Sequence, residues 1–416
     1  MVHHTMNTSK TSAPSASSKI SVMKRLLWHV LGVAIVGMLA SCASAPPQGP
    51  EERLPSAPTI QPPVTAPAQP ASPSAALPPD TAPLPPAMQQ AKSRWVPVRW
   101  AELPGFGDDA LFEAWNAWLK SCERPGPVFA PLCGEVRRLS IGSVDEQRHW
   151  MVQRLQAYRV EPLQGASDGL LTGYYEPLLD AQRQPTATHN APLYRPPATL
   201  ASRKPWYTRQ EMETLPEARA ALRGREIAYL ADPLDALVLQ IQGSGRLRIT
   251  EPDGSQRIVR VAFAATNDQP YRSVGSWLLQ QGALRDASWP GIKAWAVQNP
   301  QRVNEMLWAN PRMVFFREEA LSELDAAFGP RGAQGVPLTP GRSIAVDPGS
   351  IPYGTPVWLA STGPVTTLQR LVLAQDTGSA ITGAVRADYF AGTGDQAAEL
   401  AGRLKQPLRL WVLWPK

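Results

Sequence analysis

Histidine and cysteine are scarce in this chain. The 416 residues include five histidines and three cysteines, and no pair of histidines has the spacing of a metal site. His149 lies in a segment with a helical pattern and His189 lies in a polar loop, so neither has an obvious histidine partner. We therefore expect no metal centre.

Lysine and arginine are numerous but do not cluster. They number 41 against 35 aspartates and glutamates, which gives a formal net charge of +6, and no run of them has the pattern of a nucleic-acid-binding stripe. We therefore expect no nucleic acid as a partner. A basic surface still suits another anionic polymer.

No apolar run is long enough for a comfortable membrane span. The run LLWHVLGVAIVGMLA at 26–40 follows Lys24 and Arg25, and this order of charged and apolar residues is typical of a secretory signal. We therefore predict a signal peptide over residues 1–41, with Met23 as an alternative start. The competing interpretation is a signal anchor that keeps its helix.

The predicted signal ends in LASC, whose last residue is Cys42. LASC resembles a bacterial lipobox, so we expect acylation of Cys42. Ala43 follows in place of aspartate, and the resemblance to enteric lipoproteins then implies anchoring in the outer membrane, facing the periplasm. Residues 42–92 are rich in proline, alanine and serine and cannot bury enough apolar surface to fold. The sequence therefore predicts a lipid anchor followed by an extended tether.

Cys122 and Cys133 are the other two cysteines. An oxidising periplasm permits them to pair, and closing so short a loop would contribute about 3 kcal/mol to stability in the chain-entropy model. Two free buried thiols are the alternative, and the sequence leaves both open.

Helical patterns recur through the folded region. A helix beginning at Asp108 or Asp109 is expected to present one apolar face, formed by Leu111, Phe112, Trp115, Trp118 and Leu119. Capping-box patterns place helix starts at Ser143 and Thr208. Further helices are expected in SVGSWLLQQ, in NPQRVNEMLWAN and from about Asp395. These helices are expected to be peripheral.

Short strand patterns fill most of the remaining chain. They include LLTGYYEPLL, ALVLQIQGSG, SIAVDP, GTPVWLAS, LQRLVLAQD and LRLWVLW. The stretch RLRITEPDGSQRIVRVAFA alternates with period two on both sides of Pro-Asp-Gly at 252–254, which predicts a hairpin. No alternation of strands with crossover helices is evident, so we expect a mostly β protein.

The segment LAQDTGSA at 373–380 contains Asp-Thr-Gly-Ser, the signature that aspartic proteases carry at each catalytic aspartate. Proteolysis of that kind needs two such aspartates sharing one proton, because like charges about 3 Å apart cannot both ionise. Only one copy is present, and Gln375 precedes Asp376 where such sites have an apolar residue. We therefore reject the protease interpretation.

Three aspartates follow predicted strands in one region of the chain. They are Asp347 in SIAVDPGSIPYGTPV, Asp376 in LVLAQDTGSAITG and Asp388 in VRADYF. These segments resemble the three-aspartate (3D) domain of bacterial wall-active proteins. Together with LLTGYYEPLL, LVLQIQGSGRL and NPRMVFFRE, they resemble the membrane-bound lytic murein transglycosylase A family over about residues 95–416.

The resemblance implies a mostly β fold built on a discontinuous double-psi β-barrel. The barrel would consist of residues 93–179 and 326–416, with an inserted smaller β-barrel-like domain over 180–325 and peripheral helices. Peptidoglycan glycan strands would bind in the groove between the two parts. A cell-wall synthase complex is a candidate protein partner.

The resemblance also implies a reaction. Lytic transglycosylases cleave the β-1,4 bond between N-acetylmuramic acid and N-acetylglucosamine without water and leave a 1,6-anhydro ring, which requires one carboxyl and no cofactor. By position in the motifs, Asp388 is the acid and base, and its pKa should be raised by an apolar groove. Asp376 would support it, and Asp347 would be a third, more structural member. For each aspartate the alternative role is a turn cap.

Two motifs supply candidate substrate-binding residues. These are Thr172, Tyr174, Tyr175 and Glu176 in TGYYEP, with Gln240, Gln242, Ser244 and Gly245 in LQIQGSG. The tyrosines offer flat faces to sugar rings, the glutamines are expected on one face of a strand, and Gly245 would let the glycan approach the backbone. Core packing and a solvated strand face are the alternatives. A non-catalytic, expansin-like peptidoglycan-binding barrel is the competing function.

Overall fold

The computed structural model describes residues 81–165 and 168–416. The predicted signal peptide, Cys42 and most of the predicted tether lie outside these residues. Paired structure begins at Met88–Gln89, inside the tether predicted over 42–92, because this short strand pairs with Ser93–Pro97. In the part of the chain that the structure describes, no helix is long and apolar enough to cross a bilayer.

The described residues form two β-sheets. In chain order the strands are β1 (Met88–Gln89), β2 (Ser93–Pro97), β3 (Leu155–Pro162), β4 (Gly169–Glu176), β5 (Leu178–Gln182), β6 (Ala191–Tyr194), β7 (Glu226–Leu230), β8 (Ser244–Thr250), β9 (Gln256–Thr266), β10 (Val314–Ala320), β11 (Ser343–Val346), β12 (Pro356–Thr362), β13 (Thr367–Asp376), β14 (Arg386–Thr393) and β15 (Lys405–Pro415). The larger sheet has the order β1-β2-β3-β15-β12-β13-β11-β14-β4, and the smaller has the order β10-β9-β8-β5-β7-β6.

Six strands of the larger sheet form a closed circuit. The order β15-β12-β13-β11-β14-β4 is completed by antiparallel pairing of β4 with β15. Two pairs in this circuit, β11 with β13 and β4 with β14, are parallel. Strands β3, β2 and β1 extend the sheet from β15. The mostly β, barrel-forming fold predicted from the sequence is confirmed.

Side chains of the barrel strands alternate between the two faces of the sheet and contribute to two apolar cores. Val357 and Leu359 belong to a cluster with the inward residues of the other barrel strands, whereas Trp358 and Ala360 belong to a cluster on the opposite face. The opposite face is covered by the N-terminal helices, whose Trp115, Trp118 and Trp150 contact one another through their rings. The barrel strands that carry the site are therefore held by apolar packing on both faces.

The helices are short. In chain order they are α1 (Phe112–Ser121), α2 (Cys133–Arg138), α3 (Val144–Arg154), α4 (Arg209–Thr214), α5 (Pro216–Leu222), α6 (Pro233–Gln242), α7 (Val274–Gln280), α8 (Trp289–Gln298), α9 (Val303–Trp308), α10 (Glu323–Ala326) and α11 (Asp395–Arg403). The capping boxes predicted at Ser143 and Thr208 are confirmed, since each hydroxyl accepts a backbone N–H three residues on. The helices predicted in SVGSWLLQQ, in NPQRVNEMLWAN and from Asp395 are also confirmed.

The first helix differs from its prediction. It begins at Phe112, not at Asp108 or Asp109, and the Phe112 side chain is exposed instead of joining the apolar face. Asp109 is buried and forms a paired ion bridge with Arg342, at 2.8 and 2.9 Å, so its carboxylate cannot cap the helix. Helix α1 packs on the barrel, and Cys122 at its end is joined by a disulfide to Cys133, with a Cα–Cα distance of 5.6 Å.

The segment ALVLQIQGSG was predicted as a strand, and this was wrong. Residues 233–242 form α6, which begins after the cap Asp232, has Pro233 in its first turn and ends at Gly243 with φ of 80°. The sequence of this helix is almost continuously apolar because the helix lies between two cores, with Leu237 in one cluster and Leu239 in another.

The predicted hairpin is confirmed: β8 and β9 pair antiparallel across the turn at 252–254.

Candidate active site

A cleft of about 770 Å³ is lined by residues from both sheets. The barrel contributes Tyr174, Asp376 and Asp388. The smaller sheet and its helix contribute Gln240, Ile241, Gln242, Ser244, Phe263 and Val314, among others. The cleft therefore brings together residues that are more than 200 positions apart in the sequence.

Asp388 lies on β14 beside Thr172 on β4. The two residues are register partners in the parallel pairing, and the Thr172 hydroxyl is hydrogen-bonded to Asp388 Oδ1. Arg386 Nη2 donates to Thr172 Oγ1 at 2.8 Å. Thr172 Oγ1 thus accepts from Arg386 while its hydroxyl donates to Asp388 Oδ1. Oδ1 is thus occupied as an acceptor, and Oδ2 has no hydrogen-bond partner among residues 81–165 and 168–416.

Burial raises the pKa of the Asp388 carboxyl. The hydrogen bond from Thr172 and the positive charge of Arg386 lower this pKa, but they do not cancel the effect of burial. A carboxyl in this setting holds its proton to a higher pH than an exposed aspartate does. The direction of the shift agrees with the expectation for a general acid.

Asp376 ends β13 and is fixed by donors on both oxygens. The backbone N–H of Ala333 donates to Oδ1 and the Tyr174 hydroxyl donates to Oδ2, each at 2.9 Å. Burial nevertheless raises the pKa of Asp376 to about 6, with hydrogen bonds from Thr377, Ala333 and Tyr174 opposing the rise and the charge of Asp388 adding to it. Burial and the charge of Asp376 also raise the pKa of Tyr174 well above its usual range, so its hydroxyl stays a donor.

Asp347, the third predicted aspartate, does not line the cleft. Its carboxylate accepts from Lys92 Nζ at 2.8 Å and from the backbone N–H groups of Gly349 and Gly383 at 3.0 and 2.9 Å. Burial alone would raise the pKa of Asp347, but these donors outweigh it and the pKa lies below its usual value. Asp347 is a turn cap that also binds Lys92.

Glu176 was predicted as a substrate contact, and the structure gives it other partners. It is fully buried, accepts from Arg246 Nε at 2.8 Å and from Arg260 Nε at 2.5 Å, and also accepts from the Thr393 hydroxyl at 3.0 Å. Glu176 is the last residue of β4 in the barrel, whereas both arginines lie in the smaller sheet. This ion cluster joins the two sheets beside the cleft.

Tyr175 and Gly245 also lie away from the cleft lining. Successive side chains of a strand point to opposite faces, so only one of the two adjacent tyrosines, Tyr174, faces the cleft. A Cβ at Gly245 would lie 2.1 Å from Leu239 Cδ2, so this glycine serves the packing of α6 on β8, not the approach of a glycan.

Gln240 and Gln242 line the cleft from the end of α6, not from a strand as predicted. Gln240 Oε1 accepts from Arg209 at 2.6 Å, and Gln242 Oε1 accepts the backbone N–H of Tyr175 at 3.1 Å. In the part of the chain that is described, the amide NH₂ group of neither glutamine has a protein partner. The side-chain NH₂ groups of both glutamines are therefore available as hydrogen-bond donors beside Ser244, which also lines the cleft.

The cleft contains residues that the sequence analysis missed. Phe263 and Tyr271 are aromatic side chains that are 48% and 40% exposed, and both line it. Period-two alternation in VRVAFA places Phe263 on the same face as the buried Val261, so the local pattern predicts burial; a register irregularity in the pairing of β9 with β10 follows Phe263, and the alternation does not show it. Within residues 81–165 and 168–416, no group of three or more histidine, cysteine, aspartate and glutamate side chains could hold a metal ion.

Comparison with known proteins agrees with this architecture. Residues 170–317 match the MltA specific insert domain, and residues 342–414 match the 3D domain. A membrane-bound lytic murein transglycosylase A of Vibrio cholerae is 30% identical over 256 residues, which are 59% of this chain and 65% of that protein, just under two thirds of its length.

Solved structures cover more of the chain. The lytic transglycosylase LtgG of Burkholderia pseudomallei is 45% identical with a TM-score of 0.55, and the match covers 79% of this chain and 97% of that one. MltA from Neisseria gonorrhoeae is 29% identical with a TM-score of 0.68 over 80% and 96% of the two chains. The barrel and these matches place the chain in one structural class with the lytic transglycosylases. Within that class, the chain belongs to the membrane-bound lytic murein transglycosylase A family, since the Escherichia coli K12 member is 30% identical over 273 residues, which cover 69% of that protein.

Proposed function

We propose that this protein cleaves the β-1,4 bond between N-acetylmuramic acid and N-acetylglucosamine and leaves 1,6-anhydromuramyl ends, in remodelling of the cell wall. The observation that carries the proposal is the state of Asp388. Its pKa is raised, the residue lines the cleft, Oδ1 is engaged by Thr172, and Oδ2 has no hydrogen-bond partner in the described chain. One carboxyl with one available oxygen suits a reaction that uses a single acid and base.

In the first step, protonated Asp388 donates its proton from Oδ2 to the glycosidic oxygen while the bond from that oxygen to muramyl C1 breaks. The N-acetylglucosamine leaves as an alcohol, and positive charge develops at C1. Because Oδ1 is hydrogen-bonded to Thr172, Oδ2 is the oxygen left for the substrate, and we place the transferred proton on it.

In the second step, the Asp388 carboxylate removes the proton of the muramyl C6 hydroxyl, and O6 bonds to C1. The proton returns to Asp388, so no water is consumed and the enzyme is regenerated. Ionised Asp376, oriented by Tyr174 and Ala333, stabilises the positive charge at C1. Thr172 is then a positioning residue, whereas Gln240, Gln242 and Ser244 are proposed to bind the sugars.

We propose that the catalytic unit consists of residues 93–179 and 326–416, with the glycan held against the segment 180–325. Acylated Cys42 would anchor the protein in the outer membrane, facing the periplasm, and the proline-rich segment would let it reach the wall. The LASC sequence supports the anchor, and relatives are named membrane-bound. A cell-wall synthase complex is the proposed protein partner.

The test measures whether oxygen from water is incorporated into the products. Purified peptidoglycan is digested by the full-length protein in water enriched in oxygen-18, and the muropeptides are analysed by mass spectrometry. Anhydromuramyl products without the heavy isotope are expected. Reducing ends that carry oxygen-18 would instead indicate a hydrolase, and bound glycan without any product would indicate an expansin-like binding barrel.

A further inference from the structure

The cleft is basic on both walls. Four arginines line it, with two on the smaller sheet's side, Arg312 and Arg317, and two on the barrel's side, Arg124 and Arg331. The acidic residues that line it are Asp376 and Asp388, and both have raised pKa values. Since Asp388 must be protonated before the reaction starts, the resting cleft has an excess of positive charge. The sugars of the glycan backbone offer no charge to balance it.

Two of these arginines, Arg124 and Arg331, each lie close to Gly335. Arg331 Nη1 donates to the carbonyl of Gly335 at 3.0 Å, and a Cβ at Gly335 would lie 2.8 Å from Arg124 Nη1. Gly335 has φ of +83°, so a side chain would be disfavoured there by both the backbone and the guanidinium. Both guanidinium groups therefore lie near Gly335 and add positive potential there, which a bound anion would offset.

No carboxylate of the described chain fills this role. Arg124 and Arg331 form no ion pair with any residue of 81–165 and 168–416, and both are exposed. Arg331 also lines a smaller cavity with Glu319 and Asp325, but Glu319 pairs with Arg317 and Asp325 accepts from Ser322. The pair is therefore open to a ligand.

The pair lies next to the reacting groups. Arg331 is two residues before Ala333, whose backbone N–H holds Asp376. In peptidoglycan, the muramyl unit whose C1 reacts also carries a peptide stem, and that stem bears free carboxylates. Planar guanidinium groups match carboxylates through paired hydrogen bonds. Because Arg124, Arg331 and Asp376 line the same cleft, a stem on the reacting sugar lies on the side of the cleft that holds the two arginines.

We propose that Arg124 and Arg331 form a binding site for a free carboxylate of the peptide stem, so that the protein selects stem-bearing glycan. This inference rests on the proposed function and adds a specificity site to it. Such a site acts on the choice of substrate and leaves the chemistry of bond cleavage to Asp388.

The test compares two substrates that differ only in stem charge. Full-length protein is given native peptidoglycan glycan and the same glycan with its stem carboxylates amidated, and kcat/KM is measured from anhydromuramyl release. We expect wild type to prefer the native substrate by about tenfold. In Arg124→Gln and in Arg124→Gln/Arg331→Gln the ratio should fall towards one. Arg403→Gln is the matched control, because Arg403 is an exposed arginine of α11 outside the cleft.

Equal kcat/KM of wild type on the two substrates would overturn the proposal, and so would a preference for native substrate that survives in the double variant. It would also be overturned if stem-free glycan, which carries only lactyl carboxylates, competed with native substrate as well as stem-bearing glycan does. The single variant Arg124→Gln is expected to fold normally, because the Arg124 side chain has no hydrogen bond within the described residues. A lost preference in this variant would therefore not be due to misfolding. Failure of the proposed function itself would be distinct, because neither substrate would then release anhydromuramyl products.

Discussion

The hydroxyl of Thr172 is held as a donor to Asp388. The two residues are neighbours across the parallel pairing of β4 with β14, and Arg386 occupies the acceptor side of the hydroxyl. This arrangement lowers the pKa that burial would otherwise give Asp388, and it leaves one carboxyl oxygen for the glycosidic bond. A residue that sequence motifs suggest as a sugar contact thus acts on the acid instead.

Replacing Thr172 by valine tests this relationship. Loss of the donor should raise the pKa of Asp388 further, because the hydrogen bond favours the carboxylate. The alkaline limb of the kcat profile, where the acid loses its proton, should therefore move to higher pH. We expect kcat to fall on the order of tenfold. Thr172→Ser should keep the profile of wild type, and an unmoved limb in the valine variant would argue for mere packing.

The raised pKa of Asp376 predicts a stability effect of definite sign. Below the usual aspartate pKa both folded and unfolded chains hold the proton, so Asp376 adds no pH dependence there and its favourable contribution is fully present. Between about pH 4 and 6 the folded state binds the proton more tightly, so this group makes stability fall as pH rises, by up to about 3 kcal/mol.

Asp376→Asn should abolish that loss. The measurement is the difference in unfolding free energy between wild type and variant at several pH values, which isolates this group from other titrations. As the pH rises from 4 to 6, the free energy of unfolding of the variant should increase relative to that of wild type. A difference that stays constant across this range would contradict the account.

Asp347 should behave in the opposite way. Its lowered pKa means that its contribution is present at neutral pH and is lost as pH falls through the folded-state pKa. Asp347→Asn should lower stability at pH 7 by about 1–3 kcal/mol, with no shift in either limb of the kcat profile. A shifted limb would show that Asp347 belongs to the reacting groups after all.

The ion cluster of Glu176 should be costly to break. In Glu176→Gln, the largely buried Arg246 and Arg260 lose their charged partner, and we expect destabilisation of about 3–5 kcal/mol in urea unfolding. Glu399→Gln removes half of the exposed pair with Arg403 and should cost less than about 1 kcal/mol. Equal costs for the two variants would exclude a structural role for the cluster.

The sequence predicted those features that depend on local pattern or on long motifs. The β8–β9 hairpin, the capping boxes and the barrel-forming fold follow from turn residues, hydroxyl-to-carboxylate spacing and motif resemblance. Helix α6 was mistaken for a strand because burial between two cores removes its polar face. Its Asp-Pro start and Gly end are the signals that indicate a helix.

Side-chain roles were harder to predict than elements. Glu176 finds its arginine partners 70 and 84 residues later in the chain, and no local pattern indicates that pairing. Gly245 and Leu239 touch because a helix returns onto a strand, which the strand interpretation of that segment could not show. The pairing of Thr172 with Asp388 depends on register between strands 216 residues apart.

The central claim is that Asp388 alone supplies the acid and the base. Its most direct test is release of anhydromuramyl products from peptidoglycan by full-length Asp388→Asn, beside Asp376→Asn, with glycan binding measured for both. We predict that Asp388→Asn binds glycan but releases no anhydromuramyl product above background, whereas Asp376→Asn is slowed yet still forms it. Product release by Asp388→Asn at a rate comparable to that of Asp376→Asn would contradict the assignment.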